Sequence, residues 1–429
     1  MDRTTQPKFE KLSEINLLPI SRSILPNGIP LAVINSEEQS IVRIDFLFDG
    51  GYWTQEKTLQ AYFTNAMLRE GSLHYTSSEI AENFDYLGSF LSLSMLPQHS
   101  TVTALTLNKY FDQTTDLLND IIKEPLFPEK ELKILRKKEL QKHIINGSKV
   151  KDIARRHFLH ALFGDHYPYG TLTTADDFNN INTDLLLHYF NNSYNSTNCH
   201  IFLSGNITDD IILRIEKKFG TEPFGRALKK TIFPSHSTQT TSEKRIFIEK
   251  NDAKQSAINL GMILPIDIHH PDFLKLNILI TILGGYFGSR LMSNIREDKG
   301  YTYGIYSGLI QIAESDILFI STETDNRYVE SLIHEVYKEI DRLKQEPVGV
   351  DELNMVRNYM IGRLCRKTEL SFNMSDVYQY QFINGLEDNY QRIILQSIND
   401  ITPEDLQEMA NKYLCKENLK EVISGKKNE

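Results

Sequence analysis

Apolar and polar residues are arranged along this chain in a pattern that reads twice. Strand-like runs open at Pro30 to Asn35, after an Asn27-Gly28 turn, and again at Arg245 to Glu249. Each is followed by a second strand and a long helix; in the first half that second strand runs from Ile41 to Phe48 before Asp49-Gly50-Gly51. An antiparallel pair comes next. It is Phe90 to Leu96 with Thr101 to Leu107 in the first half, split by Pro97 to Ser100. In the second it is Tyr303 to Ile312 with Asp316 to Thr322, split by Ala313-Glu314-Ser315. Alternation in these runs predicts half-buried strands with one face packed on helices.

Further on the repetition becomes numerical. Ile181-Asn-Thr-Asp184-Leu-Leu186 and Ile401-Thr-Pro-Glu404-Asp-Leu406 each start an apolar-periodic helix. Each is followed by an apolar pair and Ser-Gly, at Ser204-Gly205 and Ser424-Gly425, so every matched point is offset by 220 residues. The expected fold is α+β, with two homologous domains, each an antiparallel sheet with helices packed on one face. The domains are placed at 17–225 and 244–425, with a linker at 226–243 whose Pro234 to Ser242 stretch is polar and rich in breakers. Residues 1–16 and Lys426 to Glu429 read as loose ends.

Composition narrows the classes. A chain of 429 residues exceeds what one core serves comfortably. The net charge of -10 argues against a nucleic-acid groove or an anionic membrane surface as partner. No run of apolar residues is long enough to span a bilayer, and Met1 to Pro7 lacks the apolar core of a secretory signal. Cys199, Cys365 and Cys415 are far apart, without Cys-x-x-Cys spacing, which fits a reducing compartment. The expected location is the cytoplasm.

The candidate chemistry centres on Leu59-Gln-Ala-Tyr62-Phe-Thr-Asn65-Ala66-Met-Leu68, preceded by the apolar strand and followed by Glu70-Gly71-Ser72, Ser78-Glu79-Ile80 and Tyr86-Leu87-Gly88. This frame resembles the inverzincin metallopeptidases (pitrilysin, insulysin and mitochondrial processing peptidase), whose helix reads H-x-x-E-H. Such a site needs two imidazoles one helical turn apart on a single Zn2+ and a Glu to polarise the bound water. Here the motif falls on Tyr62, Asn65 and Ala66, which supply a poor ligand, an amide that takes no proton at neutral pH, and no ligand at all. The family's third ligand is a Glu on a later helix. Counting back from His157-Phe-Leu-His160-Ala-Leu-Phe-Gly164 puts His143 at that position, with Glu139 the nearest carboxylate one turn away. No metal ligand, zinc cofactor or catalytic residue is therefore expected in this chain. His157 and His160, at i and i+3, have helix spacing that permits co-ligation, but without a third ligand they read as surface and core filling.

The second half retains more. Ile282-Leu-Gly284-Gly285-Tyr-Phe-Gly288-Ser289-Arg290 leads into Asn294-Ile-Arg296-Glu297-Asp298-Lys299-Gly300-Tyr301-Thr302-Tyr303. This is similar to the family's glycine-containing turn and R-E-x-x-G-L-x-Y segment, with Tyr301 in place of leucine. The resemblance implies that Arg296 and Tyr303 hold substrate, a guanidinium fork and a phenol aimed at one oxygen. Read from spacing alone, Arg296 would pair with Glu297 or Asp298 and Tyr303 would be an ordinary strand aromatic. Gln255, opening the run to Gly261, is a further substrate-binding candidate, because the family's corresponding strand can pair with an extended peptide. Paired relatives divide the labour between a zinc chain and a chain that keeps only the Arg/Tyr pair. The resemblance thus implies a non-catalytic, substrate-binding subunit of a heterodimeric zinc endopeptidase. Its partner would be a homologous subunit with an intact motif, carrying the only zinc, and its substrate an extended peptide. The alternative is a stand-alone peptide-binding or assembly protein of the same fold.

Overall fold

The computed structural model describes residues 12–37, 39–312 and 316–427. The first half builds strands β1 (Ser21–Ile24), β2 (Pro30–Asn35), β3 (Ile41–Asp49), β4 (Phe90–Met95), β5 (His99–Leu107) and β6 (Cys199–Gly205). They form one sheet in the order β1-β2-β6-β3-β5-β4. Its helices are α1 (Gln60–Met67), α2 (Ser77–Tyr86), α3 (Phe111–Lys123), α4 (Glu129–Gly147), α5 (Val150–Phe163), α6 (Ala175–Asn179), α7 (Thr183–Ser193) and α8 (Asp209–Ile215).

The second half repeats the plan with β7 (Arg245–Glu249), β8 (Gln255–Ile263), α9 (Phe273–Ile280), β9 (Ile305–Ile310), β10 (Ile317–Asp325), α10 (Val329–Gln345), α11 (Val350–Thr368), α12 (Ser371–Ile383), α13 (Tyr390–Asp400), α14 (Pro403–Tyr413) and β11 (Lys420–Gly425). The sheet order is β7-β11-β8-β10-β9. The Ala313-Glu314-Ser315 turn, residues 1–11 and the chain's last two residues lie outside the described residues.

The numerical repeat survives in three dimensions. Helices α7 and α14 stand 220 residues apart at both ends, each capped by a side chain accepting from the third residue on: Asn182 from Leu185 N, Thr402 from Asp405 N. Earlier pairs are closer in number: β3 and β8 are 214 apart at both ends, β4 and β9 215. The difference accumulates in connections such as the longer β9–β10 turn. Insertions are tolerated there, because loop closure costs little more as a loop lengthens.

Two features depart from the expectation. The sheets are mixed, since β2 runs parallel to β6 and β7 parallel to β11. Long crossovers supply the room a parallel pair requires. Helices also cover the second face of each sheet, and they are exchanged between halves. The first sheet packs Val42, Ile44, Phe46 and Phe48 on its own helices, while Ala32, Ile34, Leu47 and Phe202 on the opposite face meet Met374, Val377 and Tyr378 of α12. Reciprocally, Phe158, Ala161 and Leu162 of α5 pack with Ile317 and Val422 on the outer face of the second sheet. Gly261 makes that fit, as a Cβ there would lie 2.7 Å from Phe158 Cζ and 2.1 Å from the Leu318 carbonyl oxygen.

The connecting segment is not a loose tether. Gln239 N and Thr241 N donate to the carbonyls of Phe163 and Ala161, and Trp53 Nε1 donates to Pro234 O at 3.0 Å. Residues 12–16 are likewise held, because Ile15 is buried against Leu364 and Leu395 and Asn399 donates to Leu12 O. No helix among the described residues is long and apolar enough to cross a membrane.

Candidate functional site

Helix α1 starts from a strained residue. Leu59 has φ 71, a left-handed conformation that costs a non-glycine residue about 1–2 kcal/mol. The fully buried Gln60 holds it there. Its Oε1 accepts from the amides of Glu56 and Lys57 while its Nε2 donates to Leu185 O at 2.9 Å. Ala61, Phe63 and Met67 then anchor the helix in the core, which leaves Tyr62, Asn65 and Ala66 on a shared face by their i, i+3, i+4 spacing.

Each of those positions has other work or none. Asn65, 3% exposed, donates from Nδ2 to Ser94 O at 2.8 Å and accepts at Oδ1 from the Tyr194 hydroxyl at 3.0 Å. It ties α1 to β4 and to the end of α7. Ala66 packs against the core. Tyr62 sets its hydroxyl against Glu139, and burial first, then that negative charge, pushes the phenol up to about 12.

The carboxylate meeting α1 is Glu139, the one nearest the counted position of the third ligand. His143 lies one turn further along α4, its ring 5.1 Å from that of Phe178, and burial and then Arg156 hold its imidazole below the usual histidine range. A phenol held protonated at neutral pH, a saturated amide, a methyl group and one carboxylate do not fit a zinc ion.

His157 and His160 do not converge on a shared ligand. His160 Nδ1 contacts Gly170 O at 2.9 Å, and burial, Arg156 and His160 hold His157 below its usual range. No group of three or more His, Cys, Asp or Glu with metal-binding arrangement occurs among the described residues.

Arg296 lies on a wide π-helical segment, Met292–Asp298, a rare form enriched at functional sites. Its guanidinium stacks on Phe287, 4.6 Å from the ring centre, and makes no ion pair with Glu297 or Asp298. Phe287 is itself 63% exposed and Tyr303 is 93% exposed. The backbone beneath them is firm. Tyr301 stacks on Tyr328 at 4.7 Å, Thr302 Oγ1 donates to Glu323 O at 2.6 Å, and Thr324 Oγ1 donates to Tyr301 O. Lys151, at the start of α5, reaches Glu323 at 3.8 Å, linking this corner to the helix that follows α4.

Sequence reasoning missed Phe287 as the platform for Arg296; its position after Gly284-Gly285 was the available signal. Gln255 is exposed at the start of β8, opposite Asp325. Its strand cannot accept an added peptide, since β10 and β11 occupy both sides of β8 from Ala257 to Gly261. The edge strands of the two sheets are elsewhere, β1 and β4 in the first and β7 and β9 in the second.

Comparison with known proteins identifies the family. The family model described as Insulinase (Peptidase family M16) matches residues 31–174, and that described as Peptidase M16 inactive domain matches 180–360. The chain is 27% identical over 356 residues to an uncharacterized zinc protease YmxG of Bacillus subtilis, covering 82% of this chain and 85% of that one. It is 22% identical over 407 residues to a non-peptidase homolog YmxG of Helicobacter pylori, covering 92% of each. The crystal structure of a peptidase M16 inactive domain from Pseudomonas fluorescens superposes with a TM-score of 0.84 at 20% identity, covering 96% of this chain and 99% of that one. Two models of one family, met in the order the duplicated fold sets them, establish that this chain belongs to peptidase family M16.

Proposed function

We propose that the protein is the non-catalytic, substrate-binding subunit of a two-chain zinc endopeptidase, pairing with a homologous chain that carries the metal. One contrast carries the reading. Asn65 is saturated by Ser94 and Tyr194, Tyr62 meets Glu139 and Ala66 offers no ligand, whereas Tyr303 is exposed and the half-buried Arg296 makes no ion pair among the described residues. A guanidinium left unpaired and a phenol left in water are ready to take a peptide oxygen that develops charge during attack. A stand-alone assembly protein would have no use for that pair.

The test is reconstitution with a homologous zinc-motif chain and assay on an unstructured peptide. The chain alone should hold less than stoichiometric zinc and show no turnover. Arg296→Ala should lower kcat/KM of the pair roughly 10- to 100-fold while leaving co-elution intact. Stoichiometric zinc with peptidase activity in the isolated chain, or an unaffected Arg296→Ala pair, would overturn the reading.

A further inference from the structure

Helices α9, α11 and strand β9 are the second half's counterparts of α1, α4 and β4, and between them the protein has a different site. Arg363 stands 220 residues after His143, and Arg366 and Lys367 follow on the same side of α11. All three line a cavity of about 600 Å³, within the size range of small-ligand pockets. Apolar side chains, Phe273, Leu274 and Ile394 among them, make much of the remaining wall, which Tyr380 and Tyr390 also line.

The charge of this cavity is unbalanced. None of Arg363, Arg366 and Lys367 makes an ion pair among the described residues. The one carboxylate in the wall, Asp376, is engaged by Arg43 from the first half at 2.7 Å. Lys367 is open to water, yet desolvation by the surrounding protein and then Arg363 hold its ammonium below the usual lysine range. A group accessible and desolvated at once is one that faces a concave space. In a chain of net charge -10, three exposed cations gathered on one wall of a cavity make a local cationic patch that suits an anionic ligand.

A second observation points inward. The hydroxyl of Tyr390, a residue 8% exposed, has no hydrogen-bond partner among the described residues, and neither does Nε2 of Gln311 in the same wall. Tyr380 donates to Gln311 Oε1, which fixes that amide with its nitrogen free. Buried donors without acceptors are rare and expensive. Here they sit in the wall that faces the cations.

We propose that this cavity binds an amphipathic carboxylate, the acid group held by Arg363, Arg366 and Lys367 and the apolar chain by Phe273, Leu274 and Ile394. Two sources share that chemistry, a peptide's free C-terminus after an apolar residue and a fatty acid. The site is separate from the Arg296/Tyr303 pair, neither of which lines it.

Calorimetric titration of the full chain tests it with three probes: decanoate, a hexapeptide ending in a free Phe carboxylate, and the same peptide amidated. At least one acid should bind saturably, and the amide about tenfold or more weakly than its acid. Binding of decanoate alone assigns a fatty acid, and binding of the peptide alone assigns a C-terminus. Arg363→Gln with Lys367→Gln should weaken the acid about tenfold or more, and Tyr390→Phe should weaken it to a smaller extent without altering the fold. No saturable binding of either acid, or binding indifferent to both the double substitution and Tyr390→Phe, would overturn the assignment.

Discussion

Asn65, at the position where the family resemblance implies a general base, is a structural link in this fold. Its amide offers both a donor and an acceptor, which Ser94 and Tyr194 require together, whereas a carboxylate could only accept. Asn65→Ala should therefore cost about 1–3 kcal/mol in urea unfolding, since it strands the Ser94 carbonyl and the Tyr194 hydroxyl. An unchanged midpoint would mean the amide is not a structural link. Asp49 makes the matching electrostatic case. Burial pushes its carboxyl up, but His200 at 3.6 Å and His99 at 3.3 Å outweigh that and hold it down at about 2. Because the folded value lies below the ordinary 3.8, the group stabilises the fold above pH 3.8, and that contribution is lost as pH falls towards 2. Asp49→Asn should remove about 2 kcal/mol at pH 7 and flatten the acid limb of a pH–stability curve; equal acid sensitivity in both proteins would refute it. At this scale the sequence was partly legible. That Tyr62, Asn65 and Ala66 share one face of a helix could be read directly, because the helix frame fixes their register. The meeting of Tyr62 with Glu139 could not, since it depends on how two helices slide past one another.

Among the elements, those with local signals were the ones foreseen. The helix starts after Ile181 and Ile401 and the alternation in β4 and β5 are written in short windows of sequence, and the 220-residue offset repeats them. The four exposed residues of β1 carry no such signal, and the strand is specified only by its pairing with β2. Gln255 was misjudged for a related reason, because whether a strand is central or at an edge is decided by partners far away in the chain. The most consequential element is α12. Asp45, on the sheet it covers, is buried among Arg43, Thr103 and Gln379, the last donating from Nε2 at 3.0 Å. Burial outweighs Arg43 and raises the Asp45 carboxyl above its usual range, so this polar cluster secures alignment more than stability at neutral pH. The apolar contact supplies the latter. Met374→Ala should cost about 2–5 kcal/mol by the cavity it leaves, measured as a lower urea midpoint. A loss within about 0.5 kcal/mol would show that α12 is not packed as described.

At the scale of the molecule, each half completes the other's sheet, so the two cannot melt independently. Trp53, the chain's one tryptophan, is buried beside Tyr167 and His236 where the connecting segment crosses the first half. Its fluorescence should change in the same transition as the far-ultraviolet helix signal. Two separated transitions would contradict the interlocked arrangement. The exchange of α5 for α12 also sets a timetable for synthesis. When the ribosome has finished the first sheet, Leu47 and Phe202 still face water, and the segment that shelters them, Ser371–Ile383, is not made until most of the chain has emerged. Throughout that interval the nascent protein displays a greasy surface that sticks readily to its neighbours. Stalled chains ending before Ser371 should stay open to protease, and the cell has reason to keep a chaperone close until the last helices arrive.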